Sequence, residues 1–241
     1  MKYTLPTTKE KSKYVQEKFG GIAKKYDLFN DIITLGMHRY WKRFLVKQIK
    51  LEKNKNCLDL CCGTGDISNE IYKQYPESKV FGLDFSNEML KIASTKNINN
   101  PNIKFICGDA MNIPFSDLKF DAVTIGYGLR NVSDIKACLG EIFRVLKNKG
   151  VLACLDLGKV RIPIISNINN FYFFKIIPLI GNWLIPGEEM FHYLPHSSTD
   201  YPSQESIKRL MLEVGFNNVD IYNFVFGAST IHVAYKNNFS K

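Results

Sequence analysis

The run Cys57-Leu58-Asp59-Leu60-Cys61-Cys62-Gly63-Thr64-Gly65-Asp66, followed after a helix-length gap by Lys79-Val80-Phe81-Gly82-Leu83-Asp84, constrains the fold more than any other part of the chain. It reads as an apolar strand, a glycine-rich turn, a helix, a second strand and a terminal acid. Gly63 and Gly65 permit a tight turn and close approach of the backbone to a ligand. Asp84, nineteen residues beyond Gly65, suits the two hydroxyls of a ribose. An adenosine-containing cofactor is the expectation.

Charge narrows the choice of cofactor. A dinucleotide fingerprint calls for a third glycine where this chain has Ser68, with the pyrophosphate seated on the helix N-terminus. Asp66 occupies that first turn and would repel a diphosphate, whereas it is tolerated beside an ammonium group. S-adenosylmethionine (SAM) carries an ammonium and a sulfonium and no phosphate, so SAM is expected as methyl donor in preference to NAD.

With 241 residues, 45% of them hydrophobic, the chain can bury one full core, and a single domain spanning residues 1–241 is the simplest organisation. Met1 to Tyr14 is polar and lacks the apolar segment of a secretory signal, and no stretch of 18 residues is free of charge. A cytoplasmic protein is expected. The six cysteines, three of them crowded into 57–62, form no pair of CxxC motifs, and the four histidines are scattered, so buried thiols and no metal site are expected. The net charge of +9 comes from 26 lysines and only 6 arginines spread along the chain. Base readout and bidentate phosphate contacts favour arginine, so nucleic acid is not expected as a partner; a solvated basic surface, or attraction to an anionic membrane face, fits better.

Apolar residues at Val15, Phe19, Ile22, Tyr26 and Phe29 predict a helical cap over 11–50. From 56 to 157 strands and helices alternate, which predicts a cofactor-binding parallel sheet covered by helices on both faces. Between 158 and 201 the rhythm breaks into an apolar, aromatic, proline-punctuated segment that includes Phe171-Tyr172-Phe173-Phe174, an expected helical lid. Residues 202–236 predict a helix from Ser203 and a hairpin of Val219–Val225 with Ile231–Tyr235. The expected fold class is α/β: Rossmann-like, a mostly parallel seven-stranded sheet with a C-terminal antiparallel hairpin, as in class I SAM-dependent methyltransferases.

Three stretches carry a closer resemblance: Lys25-Tyr26-Asp27-Leu28-Phe29-Asn30-Asp31 leading into Leu35-Gly36-Met37-His38-Arg39-Tyr40-Trp41-Lys42; Gly126-Tyr127-Gly128-Leu129-Arg130-Asn131-Val132-Ser133-Asp134; and Phe143-Arg144-Val145-Leu146-Lys147. From about Tyr14 to Tyr235 the chain resembles the ubiquinone/menaquinone biosynthesis C-methyltransferase family. It departs from the family at Cys61, at Gly126 where relatives often have serine, at Asn148-Lys149-Gly150 in place of Pro-Gly-Gly, and at Asp156-Leu157-Gly158-Lys159-Val160.

The resemblance implies methylation of a polyprenyl quinol: demethylmenaquinol to menaquinol, or the 2-methoxy-6-polyprenyl benzoquinol of ubiquinone synthesis. It implies cofactor contacts from Gly63, Thr64, Gly65, Asp84, Asp109 and Ala110, and a quinol pocket at Tyr26, Arg130 and Asn131. His38 and Arg39 are expected at the substrate, with His38 a reserve general base. Arg130, always protonated, is read as an electrostatic stabiliser of the quinolate. The apolar segment Ile162 to Phe191 is the expected tail channel, which implies contact with the inner membrane surface without spanning it. A methyltransferase for another small molecule or RNA on the same fold, and a weakly active SAM-binding scaffold in a quinone-synthesis complex, are the rival readings. A homodimer is the default assembly.

Overall fold

The computed structural model describes residues 8–187 and 190–237. Of the polar N-terminal stretch, Met1 to Thr7 lie outside the described residues, as do Glu188 and Glu189 of the lid. Helices α1 (Thr8–Ile22), α2 (Tyr26–Thr34) and α3 (Met37–Gln48) precede strand β1 (Asn56–Leu60). Then follow α4 (Asp66–Gln74), β2 (Lys79–Asp84), α5 (Asn87–Lys96), β3 (Ile103–Cys107), β4 (Phe120–Gly126), α6 (Ile135–Val145) and β5 (Leu146–Leu157). The lid comprises α7 (Pro163–Phe171), α8 (Ile177–Leu184) and α9 (Met190–Asp200), and α10 (Gln204–Val214), β6 (Asn218–Phe224) and β7 (Ser229–Tyr235) close the chain.

The strands form one seven-stranded sheet in the order β3-β2-β1-β4-β5-β7-β6. All pairs are parallel except those of β7, which runs antiparallel to β5 and β6. Both faces are covered, and the period of two in the strands shows why. In β5, Leu152 and Cys154 join α6 and α10, while Val151, Ala153 and Leu155 join α3 and α4. On the second face Leu45 and Val46 of α3 are fully buried, each contributing about 1.5–3 kcal/mol through removal of its side chain from water.

The chain starts in the middle of the sheet and then winds outward in both directions. The order therefore reverses between β1 and β4, and in sheets of this kind ligands bind outside the C-terminal strand ends at that reversal. Both strands end in a left-handed residue that is not glycine, Cys61 (φ 53°) and Tyr127 (φ 58°), a conformation that costs about 1–2 kcal/mol each. Lys149 (φ 64°) takes the same conformation in the turn between α6 and the body of β5.

The helical cap is broken more sharply than the periodicity suggests. Leu35 (φ 49°) and Gly36 (φ 74°) are both left-handed, and the Gly36 N–H closes on the Asp31 carbonyl at 2.9 Å, ending α2 and redirecting the chain into α3. Val15, Ile22 and Phe29 of α1 and α2 pack with Ile177, Phe191 and Tyr193 of the lid in a third, smaller core. The Tyr172 hydroxyl adds a hydrogen bond to the Ile33 carbonyl at 2.7 Å. The hairpin falls near its expected place, with β7 beginning two residues earlier, at Ser229.

Asp59 lies inside β1, fully buried, where it accepts hydrogen bonds from Ser68 Oγ (2.6 Å) and Thr124 Oγ1 (2.9 Å). Burial outweighs these bonds and pushes its pKa up to about 6. The folded state thus holds this proton more tightly than the unfolded chain, whose aspartates titrate near ~3.9. The associated stability is complete below about pH 4 and is lost as pH rises through about 6, an effect of roughly 3 kcal/mol. Asp59→Asn, which cannot ionise, should escape this loss. Urea unfolding of both proteins from acid to neutral pH checks it, and parallel profiles would refute the burial account.

Candidate active site

A cavity of about 330 Å³ opens at the strand ends, and its wall is built from the turn after each of the first four strands. Cys61 and Gly63 follow β1, Asp84 and Phe85 end β2, Gly108, Asp109 and Ala110 follow β3, and Gly126, Tyr127 and Gly128 follow β4. Val15, Phe19 and Tyr26 of the cap complete it. Asp84 is buried, and its carboxylate accepts the Gly63 N–H (2.8 Å) on one oxygen and the Ser86 N–H (2.9 Å) on the other. A carboxylate offers about four acceptor positions, so acceptor capacity remains for a ligand hydroxyl. Burial raises the Asp84 pKa, and the backbone N–H groups of Ser86, Gly63 and Phe85 oppose that rise.

SAM fits these residues. A Cβ built on Gly63 meets nothing within 4 Å, so the turn leaves open space beside the Asp84 carboxylate that its N–H holds. Asp109 lines the same cavity while its Oδ1 accepts the Met111 N–H at 2.9 Å, so it holds its own turn as well as the wall. Gly126 does not leave the room a serine would use: a Cβ there would sit 2.3 Å from the Ile67 Cδ1, which fills that space.

A second cavity, of about 460 Å³, adjoins the first and shares Phe19, Tyr26 and Tyr127 with it. Its wall is predominantly apolar and includes Phe29, Ile33, Trp41, Phe173 and Ile177, with His38, Arg130, Tyr172 and the shared tyrosines as its ionisable groups. Arg130 is buried, and its Nη1 donates to Asp156 Oδ1 at 2.7 Å while its backbone N–H donates to Oδ2 at 3.1 Å. Its charge is therefore shared with an internal counter-ion and is not bare. The guanidinium also lies 5.4 Å from the centre of the Tyr127 ring. Burial raises the Tyr26 pKa, and Arg130 acts in the opposite direction.

The matching family model, the ubiE/COQ5 methyltransferase family, covers residues 7–236. The chain belongs to that family. The demethylmenaquinone methyltransferase of Leptospira interrogans (serovar copenhageni, strain Fiocruz L1-130) is 45% identical over 241 residues, 97% of each chain. That of Staphylococcus aureus strain JH9 is 37% identical, covering 96% of this chain and 97% of its own. In fold the protein is similar to a SAM-dependent methyltransferase from Aquifex aeolicus (TM-score 0.60, 18% identity, 81% of this chain and 89% of that one). It is also similar to phosphoethanolamine N-methyltransferase 2 of Haemonchus contortus with S-adenosylhomocysteine (TM-score 0.63, 14% identity, 83% and 53%). The protein is a methyltransferase with the class I SAM-dependent fold.

Of the expected site residues, Thr64, Gly65 and Arg39 line neither cavity. Thr64 donates its hydroxyl to Asp27 Oδ1 of the cap (2.6 Å). Gly65 serves packing, since a Cβ there would meet Phe105, Asn97 and Ala93 within 3.1 Å. Arg39 lines neither cavity: its side chain is 66% exposed and forks onto Asp31, through Nε (2.7 Å) and Nη2 (2.6 Å). Asn131 lines the first cavity, but its amide already donates to the Tyr127 carbonyl (3.1 Å) and accepts from the Tyr193 hydroxyl (3.1 Å), tying the strand-end loop to the lid. Phe173 faces the second cavity, whereas Phe174 packs edge-on against the His196 ring.

The reading of Asp66 also changes. Its carboxylate pairs with Lys42 (2.8 Å) and with Lys96, and Lys96 in turn reaches Asp27 (2.8 Å). These lysines hold the Asp66 pKa well below its usual value and offset the charge that was to repel a diphosphate. The choice of SAM therefore rests on the family and on Gly63 and Asp84, not on Asp66. Tyr127, Asp156, Tyr193 and the Asp27–Lys96–Asp66–Lys42 chain are the residues that sequence reasoning missed. Asp27, Lys42 and Tyr127 stood within the recognised motifs, Asp66 in the glycine-rich run and Asp156 in a stretch that departs from the family; Lys96 and Tyr193 carried no local signal.

The four-membered ion chain fastens the cap to the glycine turn and to α5. Because Lys96 is about one-third exposed, each pair contributes modestly, up to about 1 kcal/mol. Lys96→Gln should raise hydrogen exchange in Val15–Tyr26 by up to about fivefold while β1 and β4 stay protected. Mass-spectrometric exchange checks it, and equal loosening of cap and sheet would refute a local clamp.

Proposed function

We propose that the protein methylates a ring carbon of a polyprenyl quinol, demethylmenaquinol being the leading acceptor. The observation that carries this is the meeting of two unlike cavities at Tyr26 and Tyr127. The acid-bearing cavity at the strand ends suits a nucleoside, and the apolar cavity beside it suits a ring with a hydrocarbon tail. When bound, SAM supplies a methyl group on a sulfonium leaving group. The chain supplies alignment, which in well-oriented models is worth about 7–11 kcal/mol, and a water-poor setting for an electron-rich ring. Arg130 and Tyr26 bias the quinol oxygen toward its anion, with Asp156 fixing the guanidinium in place.

The tail has an exit. Leu35, Met37 and Val225 line the second cavity and are exposed as well, so its mouth is apolar. Along Pro163–Leu184, where α7 and α8 run on through a π-helical turn, Ile164, Ile168, Phe171, Leu179 and Trp183 form an exposed stripe at three- to four-residue steps, interrupted only by Lys175. From Leu157 to Gly187 there is no acidic residue, and Lys159, Arg161 and Lys175 are basic. An apolar stripe in a basic surround favours an anionic lipid surface over a second copy of this chain, which would bring basic groups together. Among the described residues no helix is long and apolar enough to cross a membrane.

The test is transfer of labelled methyl from SAM, in detergent under reducing conditions, to demethylmenaquinol and separately to 2-methoxy-6-polyprenyl benzoquinol. Product from the first at the higher kcat/KM is expected; SAM binding with transfer to neither overturns the quinol assignment. For the surface, Leu179→Glu combined with Trp183→Glu should lower binding to vesicles rich in phosphatidylglycerol by about tenfold or more, with turnover in detergent retained. Unchanged sedimentation with the vesicles would remove this face from consideration.

A further inference from the structure

Within the second cavity one pair of residues has the make-up of a proton acceptor. His38 lies in the first turn of α3, just past the left-handed break, and its ring is buried. Nε2 is 2.8 Å from Asp31 Oδ1 on α2, and Arg39 grips the same carboxylate from the solvent side. Those contacts hold the Asp31 pKa down at about 2, so its carboxylate is an acceptor only and Nε2 carries the imidazole hydrogen. The ring lone pair is then on Nδ1. That atom is buried and has no hydrogen-bond partner among the described residues, on a side chain that lines the same cavity as Tyr26 and Arg130. An unsatisfied buried acceptor is destabilising, and the hydroxyl of a bound ligand would supply what is missing.

We infer that Asp31 and His38 form the general base of this site: Nδ1 takes the hydroxyl proton of the bound quinol, and Asp31 steadies the imidazolium that results. The inference rests on the quinol reading. As the O–H proton moves to Nδ1, its electron pair feeds the ring, and the ring carbon forms its bond to the methyl group while the carbon–sulfur bond breaks onto sulfur. The ring carbon then loses its hydrogen as a proton to water, and the imidazolium returns its proton to the oxygen. One proton is released per methyl transferred, and no oxidant or reductant is needed. Burial and the nearby Lys42 keep the imidazole pKa below its usual value, so the ring is neutral and able to accept at neutral pH. The charged groups facing it are Asp31 on α2, Lys42 on its own helix and Asp66 on α4, with Arg130 across the cavity.

The experiment compares the full-length wild type with His38→Asn and Asp31→Asn. It follows kcat and KM against pH, SAM binding by calorimetry, and the ring-nitrogen NMR shifts of His38. Wild type should show the Nε2–H tautomer and an acid limb in kcat. His38→Asn should lose that limb and about 100-fold in kcat, with SAM binding retained. Asp31→Asn should lose about tenfold in kcat and move the limb to lower pH, because the carboxylate that favours imidazolium is gone. A purely structural pair would lower activity without moving the limb, and that result, or an Nδ1–H tautomer, overturns the base. Turnover with unchanged profiles removes the base alone; SAM binding with no methylation of any quinol by wild type removes the substrate reading and the base with it.

Discussion

The parallel pairing of β1 with β4 is the constraint on which the rest of the structure depends. Leu60 stands opposite Ile125 in that ladder, so the turns that follow must emerge side by side. Both turn through left-handed residues, Cys61 and Tyr127, and Gly128 passes so near Cys61 that a Cβ there would lie 2.5 Å from the Cys61 Cβ. The wall of the first cavity is made by this crowding. Adding β2 and β3 on the outer side brings Asp84 and Asp109 to the same rim.

The cap and lid convert an open crevice into two joined chambers. α3 packs on the sheet, whereas α1, α2 and the lid bury Phe29, Phe191 and Tyr193 against each other, with the Phe29 and Phe191 rings 4.7 Å apart. This arrangement lets α1 contribute Val15 and Phe19 to the cofactor chamber while α2 and the lid line the apolar one. A small core with its own boundary is also the kind of unit that opens at lower cost than the main sheet core.

Buried charge is paired before it is used. Arg130 has Asp156, Asp66 has Lys42 and Lys96, and Asp31 has Arg39 and the His38 ring. Each pair limits the desolvation penalty of an ion held out of water and at the same time fixes its direction. In the apolar chamber this leaves an arginine whose field is oriented yet partly offset, and an imidazole held on one nitrogen by Asp31 with the other buried and unpartnered among the described residues. Asp156, at the end of β5, is thus the partner that makes a buried Arg130 tolerable.

The sequence by itself determined the strand–turn–helix order, the parallel sheet with its antiparallel end, the acid at Asp84 and the presence of a cap and a lid. These follow from periodicities of two and 3.6 residues and from glycine conformations, which are properties of neighbouring residues. It also brought Tyr26, His38 and Arg130 into view as companions, and the fold sets all three in one wall. Only the tertiary structure decided that the Thr64 hydroxyl bonds to the cap, that Asn131 bridges to Tyr193, that Asp66 is neutralised, and that Arg39 faces solvent while gripping the Asp31 that holds His38. Most of those outcomes depend on partners 24 to 62 positions away in the chain, and all of them depend on the direction a side chain takes once helices have packed. Even the Asp31–His38 contact, seven residues apart, exists because a left-handed turn at Leu35 and Gly36 folds α3 back onto α2. Local spacing encodes which way a backbone runs; long-range packing decides which charge a side chain meets.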